Sequence, residues 1–361
     1  MEHRDIIVIG GGPAGAATAI RAARAGVSVT VFEKGDRGRD KVCGDGLTPR
    51  AVTALHDLGV DLDDAHRIDG LRMIAGRTRR ELPWPDSGRF APNGAVWPRR
   101  RLDERLITLA EDAGAEVVFG TEALPTIDDD GRVSGVEAAG TRWAADLVVI
   151  ATGAPGAVAR MLGAERDPNE PFGLAIRTYA ASPRHADRHL EACLTLKDEH
   201  GTAVPGYGWM FPAGDGTVNI GVGALSTMKG FKKLNLNHLQ ESYRSLVSDE
   251  WDLGPDLERP RAWRLPMSAL KRHGEGWVAI GDAAGLVAAG ARCDDHRGRS
   301  LTTAPGVAPT TRSRAAITVP TGIALAQKRS FRGLRTSGQT GRTASPRDQP
   351  GFQRIATLRR T

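Results

Sequence analysis

Asp5-Ile6-Ile7-Val8-Ile9-Gly10 runs directly into Gly11-Gly12-Pro13-Ala14-Gly15. The first part is a short, fully apolar run, the pattern of a parallel strand buried on both faces. Ala14 to Ala25 then reads as a small-residue helix, closed by Gly26. Ser28 to Phe32 is a second buried strand, ending in Glu33, 18 residues after Gly15. Strand, helix and strand in so short a stretch make a βαβ unit. In that context the spacing Gly10-x-Gly12-x-x-Gly15 gains meaning. Gly10 allows the tight turn, Gly12 lets the backbone approach a pyrophosphate, and Gly15 lets helix and strand pack closely. The helix N-terminus, opened by Pro13 and Ala14, offers N–H groups and the positive end of its dipole to phosphates. Glu33, followed by Lys34, stands where an acidic side chain takes ribose hydroxyls. The competing reading is a purely structural glycine turn, and the acid closing the second strand argues against it.

The chain has 361 residues, long enough for two structural units, and its 40% apolar and 25% charged residues are those of a globular protein. The net charge of +6 is unevenly spread. Residues 288–361 carry 14 basic and 3 acidic side chains, whereas the remainder has 35 basic and 40 acidic ones. The basic character therefore belongs to the tail, and no nucleic-acid partner is expected from it. Cys43, Cys193 and Cys293 have neither paired nor metal-ligand spacing, which points to a reducing cytoplasm and to no metal site. Met1 leads straight into the first strand without a signal-peptide core, and no apolar run approaches the ~20 residues of a membrane span. A cytoplasmic protein, soluble or peripheral at the inner face of the plasma membrane, is expected.

Further along, Pro49 to Leu58 reads as a helix and residues 60–97 as irregular. Arg100 to Ala113 is an amphipathic helix with Leu102, Leu106, Leu109 and Ala113 on one face. Glu122 to Trp143 reads as a β-meander turning at Asp128 to Gly131, and Asp146 to Ala151 as a separate buried strand followed by Thr152-Gly153. From about residue 163 to 265 the pattern is that of an antiparallel sheet, with strands at Leu174–Ala180, Glu191–Leu196, Gly206–Phe211 and Val218–Gly223 and one helix at Asn237–Ser248. Trp277 to Ile280 returns as a buried strand before Gly281-Asp282-Ala283-Ala284-Gly285. The expected fold class is α/β: a discontinuous nucleotide-binding domain (1–70, 97–162 and 266–287) with an inserted antiparallel sheet domain (71–96 and 163–265), then the basic tail 288–361.

Arg99 before a helix carrying Leu102-Asp103, Gly153 after a buried strand, and Gly281-Asp282 near residue 280 together resemble the Rossmann-type FAD-binding halves of aromatic hydroxylase-like flavoproteins. That resemblance implies FAD as cofactor, with Asp282 meeting its ribityl and pyrophosphate; a plain helix N-cap is the alternative for Asp282, and a solvated charge for Arg99. Lys41-Val42-Cys43-Gly44-Asp45-Gly46-Leu47-Thr48-Pro49-Arg50 and Pro205-Gly206-Tyr207-Gly208-Trp209-Met210-Phe211-Pro212 narrow it further. Together they resemble the geranylgeranyl reductase family, and Pro205–Pro212 with Asn219-Ile220-Gly221-Val222-Gly223-Ala224-Leu225 is most similar to its actinobacterial menaquinone-reductase branch. The resemblance covers about residues 5 to 287. It implies FAD-dependent reduction of isolated C=C bonds in an isoprenoid chain, a menaquinone side chain or a geranylgeranyl lipid. Reduced flavin would give hydride, and the electron donor would be NAD(P)H or a protein reductant. Gly44 and Gly46 would let the backbone approach the flavin, and Cys43 would supply a proton or only shape the pocket. Tyr207, Trp209 and Phe211 alternate and so share one face of a strand. They are either core packing or, with Pro205 and Pro212 beside them, a wall for the prenyl chain. A flavin monooxygenase or halogenase on the same fold, and an inactive truncated flavoprotein, are the competing functions.

After Val287 the family pattern stops. The expected Asn-Pro and Gly-Glu-Gly segment is absent, and an Arg/Thr/Ser/Pro/Gly/Ala-rich stretch without Glu follows. Such composition predicts low order. The abrupt change and the charge reversal are expected of a frameshift near the codon for Val287; a natural lipid-binding basic tail is the alternative.

Overall fold

The computed structural model describes residues 2–287 except Ser87, Pro155, Glu165, Arg166, Glu199 and Leu270. The expectations for 288–361 lie outside the described residues. The chain opens with β1 (Glu2–Ile9), α1 (Pro13–Arg24) and β2 (Val29–Phe32), then β3 (Gly46–Leu47), α2 (Pro49–His56) and β4 (His66–Ile68). Next come β5 (Gly70–Ala75), β6 (Thr78–Pro83), β7 (Gly94–Val96), α3 (Arg99–Asp112), β8 (Glu116–Val118), β9 (Ala123–Ile127), β10 (Val133–Ala138) and β11 (Thr141–Ile150). After α4 (Ala157–Met161) follow β12 (Phe172–Ala181), β13 (His189–Cys193), β14 (Leu196–Lys197), β15 (Ala203–Val204), β16 (Gly206–Pro212) and β17 (Thr217–Leu225). The described chain closes with α5 (Leu236–Trp251), β18 (Arg261–Pro266), β19 (His273–Gly274) and β20 (Trp277–Ala279).

The glycine turn does what its spacing requires. Gly10 sits at φ 109°, outside the range side chains adopt readily. A Cβ on Gly15 would fall 1.9 Å from the Gly10 carbonyl oxygen, so only glycine lets α1 lie this close to β1. The first sheet has its parallel core in the order β20-β11-β1-β2-β8, with β9 and β10 added antiparallel beside β11. From β1 the chain passes to β2 on one side, whereas β11 lies on the other. Strand order therefore reverses at β1, and ligands of such sheets bind outside the carboxyl ends at that point. Gly10, Glu33, Thr152-Gly153 and Asp282 all follow carboxyl ends of these strands.

The second sheet runs β18-β12-β17-β16-β13-β5-β6. Its pairings are antiparallel except β13 with β5, which run parallel. One face is covered by α5, whose Leu239, Tyr243, Val247 and Trp251 pack with Met210, Ile220 and Val222. The other face, bearing Trp209 and Phe211, packs with Ile68, Val96 and Leu190 and turns toward the first sheet.

Four expectations change. Residues 60–97 are not irregular, because they contain β4 to β7, and β5–β6 forms an edge hairpin of the second sheet. β6 is exposed along its whole length, so it lacks the apolar alternation that marks a strand; charged edge strands are protected in this way. The meander strand and the Asp146–Ala151 strand are one ten-residue strand, β11, which pairs with β10 at its start and β1 along its length. In α3 the buried stripe is Leu102, Asp103, Leu106, Ile107 and Ala110, with Leu109 and Ala113 only partly covered. Arg261–Pro266 also forms a strand, β18, whose mixed, half-buried sequence carries no strand signature of its own.

Gly208 faces α5, where an added Cβ would lie 2.6 Å from the Tyr243 ring. Gly208→Ala is expected to lower stability by about 1–3 kcal/mol in chemical denaturation, by overpacking alone. The opposite, Trp209-bearing face of the strand should be unaffected.

Candidate functional site

Between the carboxyl ends of the first sheet and the inner face of the second lies a cavity of about 1210 Å³. That exceeds the roughly 300–1,000 Å³ of a single small-ligand site, leaving room for a dinucleotide and a second occupant. At one end it is lined by Gly10, Gly12, Pro13 and Ala14. Gly12 caps α1 in an extended conformation with no side chain accepting from the first-turn N–H groups. A Cβ there would meet nothing closer than the end of Arg39, at 4.0 Å. An open helix N-terminus with free N–H groups fits a phosphate. Gly15 and Gly281 are outside the lining and act behind it: Gly15 by close packing, and Gly281 because a Cβ at its φ of 57° would lie 3.0 Å from Ala14.

Glu33 and Lys34 line the same end. The Glu33 carboxylate accepts from Gly11 N–H (2.8 Å), Gly35 N–H (2.9 Å) and Arg39 (2.9 Å). Burial alone would raise its pKa, but Arg39 and the two backbone donors hold it below the ordinary value. One Oε1 lone pair remains, enough for a hydroxyl. Arg99 has turned inward while Arg100 and Arg101 are exposed. It grips Asp103 through both terminal oxygens at 2.7 and 2.8 Å, so it is not a solvated charge. Asp282 lies in a short turn after β20 without capping its N–H groups, which removes the N-cap reading, and it lines the cavity.

The loop from Asp40 to Gly46 is the common wall. Lys41 places its ammonium over the Trp263 ring, 4.8 Å from the centroid, and beside Gly153, whose Cβ position is 2.7 Å away. Burial lowers its pKa, Asp282 opposes that, and Arg99 and Arg39 add to it. Burial likewise pushes the Cys43 thiol up; Arg99 counteracts this, Asp45's carboxylate reinforces it, and hydrogen bonds to the sulfur from the Asp45 N–H and Arg99 hold the thiolate form. Asp45 itself is buried at φ 63°. Its carboxylate accepts from the Tyr179 hydroxyl, from Asn219 Nδ2 (2.8 Å) and from Arg99 N–H (3.2 Å). Burial raises its pKa despite those donors. Both Asn219 donors are used, since Nδ2 also donates to the Cys43 carbonyl at 2.8 Å, and Oδ1 accepts from Trp209 Nε1 at 2.9 Å.

Tyr207, Trp209 and Phe211 line the cavity in a row. Phe211 packs on the loop, 3.1–3.2 Å from the Cβ positions of Gly44 and Gly46, so both glycines are needed for contact. Cross-strand pairing arranges the inner face in rows. Phe211, Asn219 and Tyr179 form one, and Trp209, Gly221, Arg177 and Arg261 the next. Tyr207, Gly223, Ala175 and Trp263 form the third. Small residues on the middle strands hollow a trough between Tyr207 and Trp209 on one side and Trp263 and Leu265 on the other. A single linear chain fits such a trough. Burial pushes the Tyr207 hydroxyl up to about 12, so it stays a neutral phenol.

Residues 3–285 match the FAD binding domain family. The menaquinone reductase of Mycolicibacterium smegmatis is 42% identical over 290 residues, 78% of this chain and 70% of that one. The chain belongs to the geranylgeranyl reductase family of FAD-binding oxidoreductases. Family membership makes FAD its cofactor. Digeranylgeranylglycerophospholipid reductase 1 of Methanopyrus kandleri is 31% identical over 291 residues, 78% of this chain and 73% of its own. The solved geranylgeranyl bacteriochlorophyll reductase-like protein of Thermoplasma acidophilum superposes with a TM-score of 0.65 at 24% identity, over 80% of this chain and 72% of that one, and speaks for the fold.

Lys41, Asp45, Gly223 and Trp263, which line the cavity, and Asn219, which holds its loop, escape the sequence reading as site residues. Asp45 and Asn219 sit inside quoted motifs, but their pairing spans 174 residues and no local pattern announces it. Asn219→Ala would strand the Trp209 indole and remove a donor from buried Asp45, an expected loss of about 1–3 kcal/mol measured by denaturant titration. Arg99→Leu should raise the Cys43 thiol further and slow its alkylation at pH 8, with peptide mapping to separate Cys43 from Cys193 and Cys293. Arg39, 3.7 Å from Asp103, remains to compensate that carboxylate.

Proposed function

We propose that this protein reduces isolated double bonds in the isoprenoid chain of a prenyl lipid, either the menaquinone side chain or a geranylgeranyl lipid. The observation that carries the proposal is the apolar trough ending at the Cys43–Gly46 loop, in one cavity with the open N-terminus of α1. The names of the relatives agree with that chemistry.

In this reading Gly10, Gly12, Pro13 and Ala14 take the pyrophosphate of FAD, and Gly15 behind them lets α1 lie close enough to do so. Glu33 and Lys34 stand at the adenosine end, and Arg99, Gly153, Gly281, Asp282, Gly44 and Gly46 shape the rest of its bed. Reduced FAD supplies hydride when bound. An unpolarised alkene has no oxygen for the protein to hold, so Tyr207, Trp209 and Phe211 must position the chain by shape alone and keep water away. Cys43 is the proton donor this geometry favours. Its raised pKa keeps the proton on sulfur at neutral pH, and Arg99 and the Asp45 N–H hold the thiolate once the proton has gone. Electrons reach the flavin from NAD(P)H or a protein reductant. The substrate places the enzyme peripherally at the inner face of the plasma membrane, in a cytoplasm that keeps Cys43 reduced. The inserted sheet (71–96 and 163–265) is the substrate domain, and the remainder up to residue 287 the FAD domain.

The direct test is mass spectrometry of prenylquinones and prenyl lipids after incubation with dithionite-reduced protein. A gain of one hydrogen pair per reduced bond is expected, with no oxygen uptake; oxygen incorporation would favour a monooxygenase instead. Gly223 offers the sharper prediction. An added Cβ there has only ordinary contacts, 3.8 Å at the nearest, so Gly223→Leu should fold and bind FAD. Filling the trough floor costs the lipid about 1–3 kcal/mol, so its KM should rise roughly 5- to 150-fold.

A further inference from the structure

The trough has a direction. Phe211 meets the Cys43–Gly46 loop at one end, and the other end is the margin of the second sheet where β13 and β17 finish and β12 and β16 begin. From Asn219 to Leu225 along β17 the distance is roughly 20 Å at the rise of an extended strand. Four cavity-lining residues at this margin are exposed: Leu194, Pro205, Thr227 and Lys229. Leu194 is 50% exposed and at the same time lines the cavity. The segment that leaves β17 here, Ser226 to Gln240, holds Lys229, Lys232 and Lys233 and no acidic residue. Lys232 and Lys233 are exposed in a short helical turn. Among the described residues no carboxylate lies within ion-pairing distance of these three lysines. An apolar mouth bordered by uncompensated positive charge matches the layering of an anionic bilayer surface, acyl chains below and negative headgroups above.

We propose that this margin of the second sheet docks on an anionic lipid bilayer, with Leu194 and Met228 entering the headgroup boundary and Lys229, Lys232 and Lys233 facing the headgroups. A prenyl chain then passes from the membrane into the trough without crossing water. The proposal rests on the prenyl-lipid reading and adds to it the partner and the face.

The experiment uses the full-length, FAD-loaded protein and vesicles of phosphatidylcholine with or without phosphatidylglycerol. Sedimentation should show binding that depends on phosphatidylglycerol, and Lys232→Glu with Lys233→Glu should weaken it by roughly 30-fold or more, at about fivefold per positive charge lost. An environment-sensitive fluorophore on Leu194→Cys should shift to the blue on binding, whereas one on Asp130→Cys, in the exposed turn between β9 and β10, should not. Unchanged binding by the double variant, or a silent label at 194, overturns the proposal. Docking led only by the basic 288–361 segment would give that second result. If the double variant loses FAD, Lys232→Gln with Lys233→Gln and the label at 194 still decide the question. Detergent-solubilised prenylquinone separates the two readings. There the double variant should match the native protein, and no reduction by either protein would sink the enzymatic reading while leaving the vesicle result standing.

Discussion

The side-chain amide of Asn219 joins the two halves of this molecule. It is fully buried on β17, and its three hydrogen bonds reach the Cys43 carbonyl, the Asp45 carboxylate and the Trp209 indole. Those partners belong to the Cys43–Gly46 loop and to the aromatic row on β16, two walls of one cavity. Its donors face two acceptors and its oxygen faces a donor, so the amide has only one satisfactory orientation. Because Asp45 is buried, each of its donors offsets a desolvation cost that would otherwise fall on the fold. That cost also keeps the loop in place. With φ at 63°, Asp45 is in a conformation that costs an aspartate about 1 kcal/mol or more without such support. Asp40 adds a second tie, to Arg177 on β12 at 2.8 Å.

The loop's position sets the chemistry available to Cys43. Its sulfur lies between Arg99 and the Asp45 N–H, on a half-buried residue that lines the cavity. Burial is the larger influence, so the group is a thiol at rest and a stabilised thiolate only after it has lost a proton. A more exposed cysteine beside the same arginine would be a nucleophile, with the liability to oxidation that follows. Burial and a nearby cation therefore act in opposition, and the balance favours an acid over a nucleophile.

Much of the first sheet is readable from sequence because its signals are local. The glycine turn, the strand before it and Glu33 lie within 33 residues and constrain one another. The aromatic wall is readable for a similar reason, since period two along β16 settles which side chains share a face whatever the rest of the sheet does. What escapes detection is non-local. β6 is charged on both faces because it lies at an edge, and nothing within it reveals that it pairs with β5. The trough depends on Gly223 and Ala175 standing opposite each other on β17 and β12, a juxtaposition created only by pairing across 48 residues of chain. The Asp45–Asn219 contact is of the same kind.

Register is the constraint that makes these distant contacts dependable. A slip of one residue between β16 and β17 would carry Tyr207, Trp209 and Phe211 to the face that α5 covers and present Gly208 and Met210 to the cavity. Three features oppose that slip. The Gly214–Gly216 turn fixes the hairpin at its far end, and Gly208 fits under Tyr243 only in this register. The third is the Trp209–Asn219 bond, which forms only with Trp209 opposite Gly221 and Phe211 opposite Asn219. The same amide then holds the Cys43–Gly46 loop. An error in sheet pairing would therefore remove the aromatic wall and release the loop together, so neither wall of the cavity can form correctly while the other is wrong.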